Sequence, residues 1–349
     1  MKKLIFLSDY VDGVSPEIMI AMQKENGKKD FAYGCDETTT LAKKKIRKIF
    51  GESIADIFFV SGGTQANTIA LSAMTGRADS IIAASTSHIS NHEAGSIEAL
   101  GNKIHIINSL NGKINGRQIQ KIVDSHKDVH MVKPKVVAIS QPTERGVIYS
   151  SEELREVGEV CRLNELYLFV DGSRLANAMV SKDATVAVKD LEKYCDVLCV
   201  GGTKNGAMCA EALLVFNSEI SILMPWMIKQ RGAMLSKSRF MAAQFLELFN
   251  SDGLFFKNAR NANEMAVRLI NGLKSVGLYE TQTVQTNQVF VNMPSHLFDF
   301  VSSKYELQKW SDLGPKSVEV RLVTSWNDNE SDVDEFLKIV KDGVNLTPI

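Results

Sequence analysis

One lysine follows the predicted end of a buried strand. An ionisable side chain at such a position calls for a structural or chemical explanation. The stretch DVLCVGGTKNGAM covers residues 196–208, and Lys204 is the first ionisable residue after its apolar run. A lysine held there between glycines can clamp a phosphate, act as a nucleophile or serve as an ordinary turn residue. The neighbouring motifs decide among these roles.

A second segment, SGGTQAN at residues 61–67, follows an apolar run and opens a helical pattern. The amides of Gly63, Thr64 and Gln65 can point at an anion there, with the positive end of the helix dipole behind them. The segment lacks both the G-K-[ST] ending of a Walker loop and the three glycines of a dinucleotide fingerprint. A glycine turn capped by Thr64 is the alternative, and the segment alone favours neither interpretation.

A carboxylate and a guanidinium follow another apolar run, because DGSR at residues 171–174 comes directly after LYLFV. A carboxylate at the end of a buried strand is costly unless it meets a cation or a protonated ring nitrogen. Arg174 could be that cation, in which case the pair with Asp171 is structural. In the functional interpretation, the two side chains face different parts of one ligand.

Two histidines one helical turn apart lie in HISNHE at residues 88–93, directly before Glu93. Such a pair can chelate zinc, but no third ligand is evident nearby, and Ile89 stands where a metalloprotease has its glutamate. We therefore expect no metal. His88 suits a stacking platform for a flat cofactor, whereas His92 suits the surface or a place outside direct contact with the ligand.

The elements that must position these residues alternate between short apolar runs and helical patterns from residue 40 to residue 220. Runs of Val, Ile, Leu and Phe that close on Gly, Ser, Thr or Pro are typical of strands buried on both faces. These runs are DIFFVSGG, SIIAAST, KIHIINS, PKVVAISQP, LYLFVDGS, CDVLCVGGT and EALLVFNS, and SHISNHEAGSIEAL is one of the helical patterns. They predict a mostly parallel sheet wrapped by helices, with ligands beyond the carboxyl ends of its strands.

A smaller α+β region is predicted to begin near residue 245. LFFKNARNANEMAVRLINGLKSVG reads as a long amphipathic helix, NQVFVNM and SVEVRLVTSW as strands, and ESDVDEFLKIVKDGV as a closing helix. We therefore divide the chain into an N-terminal arm with a large domain at residues 1–245 and a small domain at residues 246–349. No linker rich in Pro or Gly marks this boundary.

Composition excludes several classes of function. The 349 residues include 40 basic and 41 acidic side chains, which leave a formal net charge of -1. This charge does not favour nucleic acid or an anionic membrane as a partner. The apolar run of MKKLIFLSDY is too short for a signal peptide, and no stretch approaches the ~20 apolar residues of a membrane span. Five cysteines without a C-x-x-C pair fit a reducing cytosol. We expect a cytoplasmic protein that binds a small molecule.

Three of these motifs follow strands of the same predicted sheet, and so they share one edge of it. An anion cup, a carboxylate for a ring nitrogen and a strand-end lysine together suit pyridoxal 5′-phosphate. Lys204 would then be the Schiff-base lysine, and Asp171 would face the protonated ring nitrogen.

The order of the motifs resembles that of the fold-type-I pyridoxal-phosphate enzymes, and within them the low-specificity L-threonine aldolase family of β-eliminating-lyase-like proteins. The motifs that carry the resemblance are LSDY, YGCDETTT, SGGTQAN, HISNHEAGSIEALG, DVHMVKPKVVAISQPTERG, YLFVDGSRLANA, GGTKNG and RLVTSW. The resemblance implies an aspartate-aminotransferase-like fold, with a mostly parallel seven-stranded sheet in the large domain and a smaller C-terminal α+β domain. It also implies aldol cleavage of L-threonine or L-allo-threonine to glycine and an aldehyde, by a homodimer or homotetramer with sites at the subunit interface.

The resemblance further implies a role for each site residue. The implied catalytic residues are Lys204, Asp171, His88 and His130, with His130 at the substrate hydroxyl. The implied cofactor-binding residues are Gly63, Thr64, Gln65, His88, Asp171, Thr203, Lys204 and Lys229. The implied substrate-binding residues are Ser8, Tyr33, Arg174 and Arg321.

Two positions depart from the family pattern. Thr203 replaces a serine before the lysine, and Ser236 stands where the family has a phosphate-binding arginine. Lys237 and Arg239 are the candidate replacements for that arginine.

Other functions share part of this pattern. A β-eliminating lyase or an aminotransferase of the same fold would keep Lys204, Asp171 and the cup. A non-catalytic module that binds pyridoxal phosphate is a different class, against which stand the near-zero net charge and the lack of an appended DNA-binding region. An oxidoreductase with a nicotinamide cofactor is disfavoured, because no strand is followed by G-x-G-x-x-G.

Overall fold

A computed structural model of the protein describes residues 2–250 and 253–346. The strands are β1 Asp56–Val60, β2 Asp79–Ala84, β3 Lys103–Ile107, β4 Lys133–Ser140, β5 Tyr167–Gly172, β6 Val197–Gly201, β7 Glu211–Val215, β8 Gln288–Pro294, β9 Gln308–Asp312 and β10 Ser317–Val323. The helices are α1 Pro16–Asn26, α2 Glu37–Phe50, α3 Gly63–Met74, α4 His88–Asn91, α5 Gly116–Ser125, α6 Ser151–Leu163, α7 Leu175–Met179, α8 Val188–Tyr194, α9 Ser218–Gln230, α10 Arg239–Leu248, α11 Leu254–Ser275, α12 Ser295–Ser302 and α13 Glu330–Leu346. Over these described ranges, no helix combines the length and apolar character needed to cross a membrane.

The larger sheet has seven strands in the order β1-β7-β6-β5-β4-β2-β3. Strand β7 runs antiparallel to both of its neighbours, and the other pairs are parallel. Because β7 is antiparallel to both β1 and β6, those two strands run in the same direction. The predicted mostly parallel seven-stranded sheet is confirmed, and the carboxyl ends of β1, β5 and β6 lie at one edge of it.

The central strands are apolar on both faces because helices cover both faces. In β6, Leu198 and Val200 pack into one core, whereas Val197 and Cys199 pack into the core on the opposite side. Alternate side chains of a strand point to opposite faces, so a strand buried on both sides must be apolar throughout. This physical requirement explains why the continuous apolar runs of the sequence predicted these strands.

The smaller sheet has the antiparallel order β8-β10-β9 and packs, with α11, α12 and α13, around a third core. The N-terminal arm belongs to this core, since Phe6 is buried in it and Lys3 pairs with Tyr305. The domain boundary at residue 245 stays a prediction. It falls inside α10, and buried side chains as far as Ala259 pack in the core of the larger sheet.

The predicted helix over SHISNHEAGSIEAL is much shorter than the pattern indicated. Helix α4 covers only His88–Asn91, and a single 3₁₀ turn follows at Glu98–Leu100. Between them, Ala94 and Gly95 have φ values of 51° and 72°, which a right-handed helix does not accommodate. Glu93, directly before this turn, is bonded to His88.

Candidate active site

A cavity of about 420 Å³ opens at the carboxyl edge of the larger sheet, beside the smaller sheet. Its lining includes seven of the predicted site residues, which are Gly63, Thr64, His88, Arg174, Thr203, Lys204 and Arg321. Its volume lies within the range usual for sites that bind cofactors and small ligands. These residues come from segments more than 250 positions apart in the chain, between Gly63 and Arg321.

Lys204 lies in a single 3₁₀ turn, Thr203–Asn205, directly beyond β6. The glycines before it are needed for close packing, because a Cβ on Gly201 would lie 2.2 Å from the Ser173 carbonyl oxygen and one on Gly202 would lie 2.5 Å from that of Ala210. Thr203 accepts a hydrogen bond from the Ala210 amide through its Oγ1 at 3.3 Å. The turn is thus held from two sides while Lys204 faces the cavity.

The first turn of α3 offers backbone amides to the same cavity. Its N-cap is Gly62, which has no side chain to bond them, and a Cβ placed there would meet no atom within 4 Å. Amides at a helix start with open space before them form an anion site. The Gln65 side chain is turned back, since its Oε1 accepts from Ser61 N at 3.1 Å and Ser61 Oγ at 2.9 Å, so only its amide could serve an anion.

Asp171 is buried at the end of β5 and is held by three hydrogen bonds. Its Oδ1 accepts from the amide of Ser173 at 2.9 Å and from the Ser173 hydroxyl at 2.6 Å, and its Oδ2 accepts from Asn67 Nδ2 at 3.3 Å. Each carboxylate oxygen accepts two bonds readily, so Oδ2 keeps capacity for one more donor. The position fits a partner for a protonated ring nitrogen.

His88 is paired with Glu93, a residue for which the sequence predicted no role. Its Nδ1 donates to Glu93 Oε1 at 2.8 Å, and Asn67 Nδ2 donates to the same oxygen at 2.6 Å. The hydrogen bond to Glu93 raises the pKa of His88 against the effect of burial, and the charges of Glu144, Glu93 and Asp171 add to the increase. His92 also lines the cavity, and burial and the charge of His88 lower its pKa.

Arg174 is paired with Asp9 and not with Asp171. Its Nε donates to Asp9 Oδ2 at 2.6 Å and its Nη2 to Asp9 Oδ1 at 3.1 Å, and both side chains are almost fully buried. Burial opposes the charge of each group, but their mutual attraction outweighs it, so the pKa of Asp9 is lowered and that of Arg174 is raised. The structural alternative of an Asp171–Arg174 pair is therefore wrong, and Nη1 of Arg174 is left towards the cavity.

Arg321 reaches the cavity from β10 of the smaller sheet. Its Nε donates to Gln308 Oε1 at 2.9 Å, and its guanidinium lies 5.0 Å from the centre of the Trp310 ring. Burial and the charge of Arg174 lower its pKa. Two guanidinium groups around one cavity are an arrangement that binds a carboxylate.

Two acidic residues of the cavity were not singled out from the sequence. Glu144 lies in the loop after β4, and Glu211 opens β7 and accepts a hydrogen bond from the Gly202 amide at 2.9 Å. Burial raises the pKa of Glu211 to about 7. Glu211 could have been predicted as a site residue, because it is a glutamate that begins the apolar run EALLV. The segment TERG contains no local pattern that would have predicted such a role for Glu144.

The structure places His130 outside the cavity of its own chain. This residue is exposed in the turn before β4, where its amide donates to Asp128 Oδ1 at 2.9 Å. The cavity lies beyond the other end of β4, roughly 25 Å away for a strand of eight residues. A residue that precedes a parallel strand lies at the amino edge of the sheet, so His130 cannot act at the substrate hydroxyl within its own chain.

Several other predicted residues lie outside the cavity of their own chain. Tyr33 is exposed with a φ of 60°, and Lys229 Nζ lies 5.8 Å from the centre of its ring. Ser8 is buried and accepts from the Tyr10 amide at 3.4 Å, next to Asp9. Lys237 and Arg239 are the candidate replacements for the phosphate-binding arginine. Lys237 is exposed beside Ser236, and Arg239 Nε lies 3.4 Å from Glu25 Oε1.

The donor set fits pyridoxal 5′-phosphate. An open anion cup and a lysine line one cavity at the carboxyl edge of a parallel sheet. The buried carboxylate of Asp171 lies directly behind this lining, bonded to Asn67 and Ser173, which are part of it. An anion site, a carboxylate and a lysine are the three contacts that this cofactor requires. Among the described residues, no three His, Cys, Asp or Glu side chains converge as a metal site would need.

Solved structures with the same fold support this assignment. The threonine aldolase of Leishmania major superposes with a TM-score of 0.94, is 32% identical, and is matched over 97% of this chain and 99% of that one. The aspartate aminotransferase of Thermus thermophilus, at 13% identity, shares the fold alone, with a TM-score of 0.72 over 98% of this chain and 92% of that one. Fold and site together define a pyridoxal-phosphate-dependent enzyme of fold type I.

Sequence comparison narrows the class further. The family model described as beta-eliminating lyase matches residues 6–295. A low specificity L-threonine aldolase from a Pseudomonas species is 34% identical over 334 residues, which cover 95% of each chain. The chain belongs to the β-eliminating lyase family, and it is a lyase whose cofactor is pyridoxal phosphate.

Proposed function

We propose that the protein cleaves L-threonine and L-allo-threonine between Cα and Cβ, to give glycine and acetaldehyde. The observation that carries the proposal is that two buried arginines, Arg174 and Arg321, face the cavity that also holds Lys204. An amino-acid substrate brings a carboxylate for the arginines and an amine for the cofactor. Relatives that match most of the chain carry the name threonine aldolase, which selects the aldol reaction within this class.

Most of the predicted site residues have a definite task in this proposal. Lys204 would bond the cofactor through Nζ, the amides of the cup would hold its phosphate, His88 would pack against its ring, and Thr203 would border it. Asp171 keeps a proton at the ring nitrogen, since its Oδ2 has a free acceptor position. When bound, pyridoxal phosphate supplies the electron sink for the pair of electrons left at Cα.

The arginines set the reaction as well as the affinity. A carboxylate held by Arg174 Nη1 and by Arg321 fixes the rotation about the bond that joins Cα to the amine. The clamp would thereby select which bond at Cα is aligned with the electron sink that the cofactor would supply. Because Asp9 fixes the other edge of Arg174, the direction of this clamp is set before substrate arrives.

A partner subunit completes the site in this proposal, as a homodimer or a homotetramer. Tyr33 and Lys229 lie together outside the cavity of their own chain, on a surface with unusually exposed apolar side chains. Phe31 is 75% exposed, and Ile222 and Trp226 are each 71% exposed. A second copy that covers these side chains would bring Tyr33, Lys229 and the Ser236 loop to the neighbouring cavity. We also propose that the enzyme works in the cytoplasm, as the cysteine content led us to expect.

A product assay tests the reaction class. The purified protein, loaded with pyridoxal phosphate, is incubated with L-threonine and separately with L-allo-threonine, and glycine and acetaldehyde are quantified. We expect equal amounts of the two products. Release of ammonia with a keto acid would identify an eliminating lyase, and transfer of the amino group would identify an aminotransferase. The exposed lysine Lys182 provides a control, because Lys182→Ala should retain the activity that Lys204→Ala loses.

A further inference from the structure

Two carboxylates that line the cavity, Glu144 and Glu211, have no task in the mechanism above. Glu144 lies in the loop that joins β4 to α6, and its side chain is buried to all but 9%. We propose that Glu144 is the catalytic base that takes the proton of the substrate β-hydroxyl. This inference rests on the proposed function, and it fills the place for which His130 was predicted.

The loop that carries Glu144 is rigid, so the carboxylate is held in place before substrate binds. The Tyr149 amide donates to Gln141 Oε1 at 2.8 Å, and Thr143 N donates to the Val147 carbonyl at 2.8 Å. The next residue, Arg145, anchors the loop to the smaller sheet through two bonds to Glu319, at 3.0 and 2.6 Å. A catalytic group on such a support keeps its position during turnover.

The carboxylate of Glu144 lacks a hydrogen-bond donor. Across residues 2–250 and 253–346, no side chain or amide donates to it, and its closest cation is Arg174, whose Nη1 lies 4.0 Å from Oε2. That distance is too long for a hydrogen bond. A largely buried carboxylate without a donor is costly, whereas a ligand with an O–H group would satisfy it.

The position of Glu144 matches the hydroxyl and not the carboxylate of the substrate. Asp9 occupies Nε and Nη2 of Arg174, so the substrate carboxylate must bind at the Nη1 edge, next to Glu144. The negative charge of Glu144 repels the substrate carboxylate, so Glu144 itself does not bind that group. Glu144 lines the same cavity as Arg174, which would hold the carboxylate, and as His88, which would pack against the cofactor ring. Cβ and its hydroxyl extend from Cα into this space.

The proton transfer balances without any further reactant. Glu144 takes the hydroxyl proton, the O–H electron pair becomes the second bond of the aldehyde C=O, and the Cα–Cβ bond breaks. Its electrons remain on the glycine fragment, which gains one proton at Cα. The proton taken by Glu144 equals the one that the fragment gains, so the carboxylate is ionised again at the end of the cycle.

The test uses Glu144→Gln in the enzyme loaded with its cofactor. We expect kcat for L-allo-threonine to fall by about 10²–10⁴-fold, as for loss of a general base. The affinities for glycine and for L-2-aminobutyrate, which lack the hydroxyl, are measured from the change in cofactor absorbance. They should stay within about threefold of wild type or become tighter, because the neutral amide no longer repels a carboxylate. The exposed Glu152→Gln is the matched control and should change neither quantity.

Three results would overturn the inference. An unchanged kcat would show that Glu144 takes no proton, and a loss of glycine affinity equal to the loss of kcat would make it a positioning residue for Arg174. Glu144→Asp retains the carboxylate and should be at least about tenfold faster than Glu144→Gln; equal rates would also refute the role. If wild type cleaves neither threonine isomer, the proposed function fails instead, and the wild-type assay shows this separately.

Discussion

The buried pair of Arg174 and Asp9 gives the sharpest quantitative prediction. Asp9→Asn removes the negative charge but keeps the shape of the side chain, so Arg174 is left charged and buried. The remaining negative side chain, Glu144, lies 4.0 Å from Nη1 and on the other edge of the guanidinium. Arg174 must therefore either stay unpaired or turn towards Glu144, and either response spoils the carboxylate clamp.

The size of the effect follows from the burial of both partners. The Arg174 and Asp9 side chains are 6% and 1% exposed, and removal of one partner of such a pair costs about 3–5 kcal/mol. Unfolding entropy is about 2.1 cal/mol/K per residue, or roughly 0.7 kcal/mol/K for 349 residues. Each kcal/mol then lowers the melting temperature by about 1.4 °C, so Asp9→Asn should lower it by about 4–7 °C.

The matched control is a second arginine–aspartate pair with the same geometry at the surface. Arg268 donates through Nε and Nη2 to Asp334 at 2.9 and 2.8 Å, but solvent screens both side chains. Asp334→Asn should change the melting temperature much less than Asp9→Asn does. Differential scanning calorimetry of the three proteins measures this, and steady-state kinetics should show KM rising for both threonine isomers in Asp9→Asn alone. Equal melting temperatures for the two variants would refute the reasoning.

Three further predictions concern other residues of the cavity. Lys204→Ala should abolish product formation and keep the wild-type circular dichroism spectrum, because Lys204 is partly exposed to the cavity and no hydrogen bond of the fold depends on it within the described residues. Glu211→Gln should melt higher than wild type above about pH 7: burial raises the Glu211 pKa from 4.5 to about 7, so the stability that its proton contributes is lost as pH rises through that value. Glu93→Gln should lower the His88 pKa in an NMR titration, since the hydrogen bond to Glu93 is the main cause that raises it. In wild type, the stability that protonated His88 contributes is present below 6.5 and is lost as pH rises through the raised pKa, and Glu93→Gln should reduce that loss.

Local signals in the sequence were sufficient for the larger sheet and for the residues next to its strands. Strands β5 and β6 are apolar on both faces, so the sequence showed where each of them ends. The positions of Asp171 and Lys204 at those ends could therefore be predicted. Strand β9 was not predicted, because QKWSD is a partly exposed strand with no apolar face to mark it. The helix predicted after β2 was too long: it ends at Asn91, and the left-handed φ values of Ala94 and Gly95 do not allow it to continue.

The pairing of distant residues could not be predicted in the same way. Asp9 and Arg174 are 165 positions apart, and only the folded arm brings them together. Glu144 is placed by a loop whose anchor, Glu319, lies 174 positions from Arg145. His130 precedes β4, and the direction of that strand places it at the amino edge of the sheet, outside the cavity of its own chain. A role for His130 at the substrate hydroxyl stays a prediction.

The most direct test of the account is to locate the covalent bond between protein and cofactor. Borohydride fixes pyridoxal phosphate to the lysine that carries it, and mass spectrometry of the digested protein then identifies the modified peptide. We expect one modified site, at Lys204 beyond the end of β6, and no modification in Lys204→Ala. Modification at Lys229, Lys237 or another lysine, or none in a preparation that has bound the cofactor, would contradict it.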